Sequence, residues 1–238
     1  MDMLHQLVAS LSSRRCADSL VNHLNVTDTA CLSLLISKCL GFGIVVAASV
    51  VKVPQLVKIV NQKSAEGLNL SSVVLETAAY AISLAYNHRH GNPFSTYGEI
   101  LFILVQDVVL VLLINFYRRQ SGYNGLLAVA FAATQYYLFK TASPDALQTL
   151  QAMTIPLTLS SRIPQILEIY KRGNTGNLSA ITIFLFFLGA LARVFTTIKE
   201  VPDKLLVLGA GLGAFLNGIL TIQMLWYWNR SAKKAKKA

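Results

Sequence analysis

Lys52, Glu76, Gln106, Asp107, Arg162, Arg193 and Asn217 are charged or strongly polar residues set in stretches that are otherwise apolar. Ionisable groups in such surroundings are costly and are kept where they pair or face a polar ligand. Glu76 and Asp107 have no short route to water and rank highest as functional groups. Their chemistry fits an ion pair or a proton-binding site. The bases fit a phosphate, which arginine grips with its planar fork. Lys52 and Arg162 lie near one end of their stretches and Lys38 and Arg193 near the other, so snorkelling to the surface is the competing explanation for all four. Counted together, two acids against these bases leave an excess of positive charge. Asn217 also suits a plain interhelical hydrogen bond. Its position repeats that of Gln106 and suggests a paired site at a repeat interface. His5, His23, His88 and His90 stand in terminal or loop positions without a nucleophile or metal partner, so no enzyme, cofactor or metal site is expected.

The stretches that carry these residues are long. Of the 238 residues, 54% are hydrophobic and only 13% charged, about half the ~25% of a soluble domain. This excludes a disordered chain, a disulfide scaffold and a typical water-soluble enzyme. Hydrophobic segments run over residues 33–57, 70–88, 98–117, 123–140, 145–168, 178–197 and 205–228, separated by short polar breaks. At roughly 20 residues per crossing they predict an all-α membrane protein of seven transmembrane helices. The net charge of +10 divides unequally between the two sides. Lys58, Lys63, Arg118, Arg119, Lys171, Arg172, Arg230 and the C-terminal lysines collect on one side, which predicts a cytosolic C-terminus and a lumenal N-terminus. Nucleic acid is therefore a poor partner. Leu4, Leu7, Val8 and Leu11 recur at helical spacing and predict a short amphipathic helix in the lumenal segment 1–30. Cys16, Cys31 and Cys39 form no C-x-x-C pair and read as small apolar residues and one loop thiol. Asn25-Val26-Thr27 is a lumenal glycosylation sequon, too close to the membrane to be expected in use.

The chain also repeats itself. Lys52-Val53-Pro54-Gln55-Leu56 returns as Arg162-Ile163-Pro164-Gln165-Ile166, and the following Gly67-Leu68-Asn69-Leu70-Ser71 as Gly176-Asn177-Leu178-Ser179. The third segments close alike, on Asn115-Phe116-Tyr117-Arg118 and Trp226-Tyr227-Trp228-Asn229-Arg230. Each repeat is a triplet of spans, 31–119 and 142–229, joined by a linker helix at 120–141 and followed by a basic tail at 230–238. One linking helix makes the two triplets parallel, the 3+1+3 arrangement of the SWEET sugar transporters. Proline inside a helix removes a backbone hydrogen bond and kinks it. Pro54 and Pro164 are expected to act as paired hinges, with Gln55 and Gln165 donating to the freed carbonyls. Pro156 adds a kink to the fifth segment. Gly209 and Gly213 form a Gly-x-x-x-Gly pair, expected to pack helices closely.

On these motifs the chain resembles the PQ-loop repeat family over its whole length. The stretches Val51-Lys52-Val53-Pro54-Gln55, Lys63-Ser64-Ala65-Glu66-Gly67-Leu68, Leu178-Ser179-Ala180-Ile181-Thr182, Leu191-Ala192-Arg193-Val194-Phe195-Thr196 and Asn217-Gly218 with Tyr227-Trp228-Asn229 are similar to the endoplasmic-reticulum branch of that family. The resemblance implies a non-enzymatic membrane protein needed for use of dolichol-phosphate-mannose and dolichol-phosphate-glucose in N-glycan precursor, GPI-anchor and O-/C-mannose synthesis. The implied partners are dolichol-phosphate sugars and lumenal glycosyltransferases. The family equally implies two alternatives, a carrier of a small sugar or proton-coupled amino acid, and a sorting receptor or scaffold. Lys234 and Lys236 resemble a cytosolic lysine signal for retrieval to the endoplasmic reticulum.

Overall fold

A computed structural model describes residues 2–66, 68–118, 121–173 and 180–227. Each hydrophobic segment is helical over most of its described residues. The helices are α1 (Asp2–Leu11), α2 (Arg14–Ala17), α3 (Thr29–Ala48), α4 (Val53–Gln62), α5 (Leu70–Arg89), α6 (Gly98–Tyr117), α7 (Asn124–Tyr136), α8 (Pro144–Arg172), α9 (Ala180–Glu200) and α10 (Lys204–Trp226). Among the described residues, three stretches, Thr29–Gln62, Gly98–Tyr117 and Lys204–Trp226, are long and apolar enough to cross a bilayer. Large apolar side chains point outward along the helices, among them Val46, Leu188, Phe215 and Ile222, while Ser37, Asp107, Asn115 and Thr196 are buried. A water-soluble fold would invert that distribution.

The first segment is not one continuous helix over 33–57. Its helix breaks at residues 49–52 and restarts as α4, with Pro54 in the first turn of the new helix. A first-turn proline costs nothing, because that N–H has no partner within the helix. Pro54 is therefore not an in-helix kink. Pro164 and Pro156 do lie inside α8, which runs 29 residues without interruption. The two Pro-Gln motifs thus enter structurally different backbones.

The chain divides into two compact units, residues 42–154 and residues 1–41 with 155–238. In the first, Ile59, Val73, Leu110 and Ile114 form a core. In the second, Ile169, Ile183, Leu220 and Met224 do the same. Each member of the second set stands 110 positions after its counterpart, as do the flanking Leu56 and Ile166, and Tyr117 and Tyr227. The internal repeat is thus a repeat of cores, with one offset throughout. Under that offset Asn217 corresponds to Asp107, and the expected pairing of Asn217 with Gln106 is corrected.

The second unit also corrects two expectations. Cys16 and Cys31 are joined in a disulfide, tying α2 to the first turn of α3. Sequence spacing carries no information on such a pairing, because it depends on how the intervening loop folds back. Asp28 helps to fix that loop. Its carboxylate accepts from the Cys31 backbone N–H at 3.1 Å and the Ser19 hydroxyl at 3.0 Å, and these bonds hold its pKa below the usual carboxylate range. Closing a loop of this length stabilises by about 3 kcal/mol. Cys16→Ser should lower the thermal midpoint of the purified protein by several degrees, and wild type should migrate faster on gels without reductant than with it. The glycine pair is the other correction. A Cβ on Gly213 would meet nothing within 4 Å, and one on Gly209 would make an ordinary 3.5 Å contact with Ile155. The tight approach is at Gly218, where a Cβ would come within 3.2 Å of Phe187.

Candidate functional site

The break between α3 and α4 makes the site in the first unit. Ending α3 at Ala48 exposes carbonyls, and restarting the chain at Lys52 exposes an N–H. Gln106, buried on α6, closes both gaps. Its Nε2 donates to the Ala48 carbonyl at 2.8 Å and to the Phe102 carbonyl at 2.9 Å. Its Oε1 accepts the Lys52 backbone N–H at 2.8 Å. The carbonyl-capping role expected of Gln55 belongs to Gln106 here.

This stitching aims the Lys52 side chain inward. Its Nζ donates to Asp107 Oδ1 and lies 2.9 Å from Glu76 Oε2. The Asp107 side chain is 0% exposed, Lys52 16% and Glu76 43%. One ammonium is shared by two carboxylates, so the cluster carries a deficit of one positive charge. Asp107 Oδ2 is buried and has no hydrogen-bond partner. The structure therefore brings Lys52, Glu76, Gln106 and Asp107 together, as an acidic group rather than a phosphate cradle.

The second unit holds the counterpart. The 110-residue offset sets Arg162 opposite Lys52, Phe186 opposite Glu76 and Asn217 opposite Asp107. Arg162 lies over the Phe186 ring, with its guanidinium carbon 5.4 Å from the centroid. A cation–π contact takes the place of the ion pair. Asn217 Nδ2 donates to the Gly213 carbonyl at 2.8 Å within its own helix, so it is not the interhelical bond anticipated for it. Arg193 is half-buried on α9, and its backbone carbonyl accepts from the Thr197 hydroxyl at 2.7 Å.

The sequence offers Lys38 no evident counter-ion. Its Nζ instead donates to Glu200 Oε2 at 2.5 Å, and the Ser37 hydroxyl donates to Glu200 Oε1 at 2.5 Å. Glu200, in a charged and proline-bearing break of the sequence, is the last residue of α9 and its side chain is 1% exposed. The buried positive excess therefore shrinks. Sequence reasoning also missed Gln223, whose Nε2 donates to the Ile166 carbonyl at 3.0 Å just beyond the second Pro-Gln. A glutamine on the third helix of each triplet thus serves a carbonyl near the motif, at different positions. Among the described residues no group of His, Cys, Asp or Glu could hold a metal ion. Lys234 and Lys236 lie outside the described residues.

Comparison with known proteins converges on the same repeat. The PQ loop repeat model matches twice, over residues 36–96 and 146–206, again 110 apart. The chain belongs to the PQ-loop repeat family. The PQ-loop matches contain Lys52, Glu76, Arg162, Phe186 and Arg193, and stop short of Gln106, Asp107 and Asn217. The chain is also 29% identical over 193 residues to human solute carrier family 66 member 3, covering 78% of this chain and 90% of that protein. It is a PQ-loop membrane protein related to that carrier family.

Proposed function

We propose that this protein serves dolichol-phosphate-linked sugars at the endoplasmic reticulum, by binding the phosphate and sugar head while the polyprenyl chain stays in lipid. In this reading it presents the lipid to lumenal glycosyltransferases or moves it between leaflets. It works as seven spans in a 3+1+3 arrangement, with the N-terminus lumenal. The observation that carries it is the asymmetry of the two repeats. Lys52 is neutralised by Glu76 and Asp107, whereas Arg162 has an aromatic face in place of the first acid and Asn217 stands at the position of the second. A guanidinium stacked on a ring keeps its edge N–H groups for a phosphate. The Cys16–Cys31 disulfide supports a lumenal N-terminus, since disulfides persist in oxidising compartments.

The test uses purified protein in liposomes with a labelled short-chain dolichol-phosphate-mannose. Wild type should bind the lipid and speed its exchange between leaflets. Arg162→Ala should lose at least tenfold in binding, equivalent to about 1.4 kcal/mol and close to the least that a hydrogen bond to a charged group contributes. Arg162→Lys should recover part of it. Wild-type binding by Arg162→Ala would overturn the assignment of this residue, and no binding by wild type would overturn the direct role.

A second reading rests on a different observation. A carboxylate oxygen of Asp107 is buried without a partner, in a cluster short of one positive charge. That is the state of a site that takes up a proton or cation with its cargo, as a coupled carrier of a small sugar or amino acid would. Uptake of radiolabelled solute driven by a pH gradient, and lost in Asp107→Asn, would favour it over the lipid reading.

A further inference from the structure

The first unit holds a cavity that the polar cluster does not use. It has a volume of about 430 Å³ and lies among α5, α6, α7 and the start of α8. Val74, Ala81, Val111, Leu127, Phe131 and Leu138 give it an almost wholly apolar wall. It runs from Gln135 and Leu138, at the end of α7, towards Val74, Leu112 and Leu127, at the start of α5, the end of α6 and the start of α7. Ala128, Ala130 and Tyr137 line it and are exposed, so it opens to the surroundings of the helices.

One group in this wall is out of place. Gln135 is a polar interruption of the fourth hydrophobic segment, and its Nε2 is buried without a hydrogen-bond partner. A donor left unpaired in apolar surroundings is unfavourable unless a ligand supplies an acceptor. The level of Gln135 along the helix identifies that acceptor. Tyr136 and Tyr137 follow it and are exposed, and tyrosines on the outside of membrane helices collect at the headgroup level. The chain then forms a π-helical turn over Tyr137–Thr141, a geometry that recurs at functional sites. Arg89 Nη1 donates to the Ala142 carbonyl at 2.5 Å, and Lys140 in the turn is exposed. Two cations therefore stand at the end of the groove where the amide waits.

We infer that this groove is a binding site for one acyl chain of an anionic glycerophospholipid. The chain lies along Leu138, Phe131, Leu127 and Val74. The ester carbonyl, at the headgroup boundary, accepts from Gln135 Nε2. The phosphate lies by Lys140 and Arg89, whose cations give it charge-assisted hydrogen bonds. This site is separate from the polar cluster and independent of the lipid-sugar proposal.

The test reconstitutes the full chain in vesicles containing phosphatidylserine with a diazirine in one acyl chain, followed by photolysis and peptide mapping. Labels should concentrate on residues 74–82 and 127–138. Ala128→Trp or Ala130→Phe, at exposed positions of the wall, should cut that labelling at least fivefold with an unchanged thermal midpoint. Gln135→Leu, which keeps the shape and removes the donor, should cut it about threefold. A diazirine phosphatidylcholine should label the same peptides less. Labelling spread evenly over the outward helix faces, or unaffected by both wall substitutions, would overturn the site. Displacement of the phosphatidylserine probe by a polyprenyl phosphate, but not by phosphatidylserine itself, would overturn the acyl assignment.

Discussion

Lys52→Met should destabilise the protein by about 3–5 kcal/mol, the usual result of removing one partner from a buried ion pair. The substitution keeps the length of the side chain and removes its ammonium. Asp107, with a side chain 0% exposed, is then left as a buried charge without its counter-ion. Glu76 suffers less, because its side chain is 43% exposed and solvent screens it. Glu76→Gln should accordingly cost no more than about 1 kcal/mol. The double variant Lys52→Met/Asp107→Leu removes the desolvated pair together and should regain most of the loss, since replacing both members by apolar groups is often neutral or better. Thermal unfolding in detergent, followed by intrinsic fluorescence, measures all three. A single variant as stable as wild type would show that Asp107 does not depend on Lys52. A double variant no better than the single would place the loss in packing rather than in charge.

The sequence made the repeat legible because a motif of small, unusual composition recurs with a base in front of it, and because hydrophobic segment length speaks directly to a bilayer. Composition also told that Glu76 and Asp107 could not lie idle. Several features had no such signal. The break at 49–52 falls within an unbroken apolar run, and the proline that accompanies it reads the same whether it kinks a helix or begins one. The partner of Lys52 stands on two other helices, at separations that no helical period reveals. Glu200 sits beside Lys199 and close to Pro202 and Asp203, so that it reads as a loop charge, yet it is the last residue of α9 and its side chain is buried. Pairing Asn217 with Gln106 needs an offset of 111, whereas the Pro-Gln motifs and the packed cores share 110. That one-residue correction matters chemically. It sets the amide of Asn217 at the position of the Asp107 carboxylate, as Phe186 stands at that of Glu76, so that near-identical motifs carry opposite charge deficits.

Glu200→Ala should have an effect as large as Lys52→Met, by the same physics in the other unit. The Glu200 side chain is 1% exposed and that of Lys38 15%, so the pair is largely out of water. Removing the carboxylate strands an ammonium and takes the acceptor from the buried Ser37 hydroxyl, for a loss of about 3–5 kcal/mol. Glu200→Gln separates the two contributions. The amide oxygen still accepts one hydrogen bond, while the charge is gone, so the loss should be smaller, about 1–3 kcal/mol. Lys38→Met/Glu200→Met tests whether the pair is worth more than a well-packed apolar contact. Recovery of stability would show that the ion pair is retained for something other than stability. The pair joins the middle of α3 to the last turn of α9, at the end of a helix that also carries Phe186 and Arg193. If this anchorage also sets the position of α9, Lys38→Met/Glu200→Met should keep its thermal midpoint yet bind dolichol-phosphate-mannose more weakly than wild type, in the liposome assay that tests Arg162. Equal binding would confine the pair to a local role.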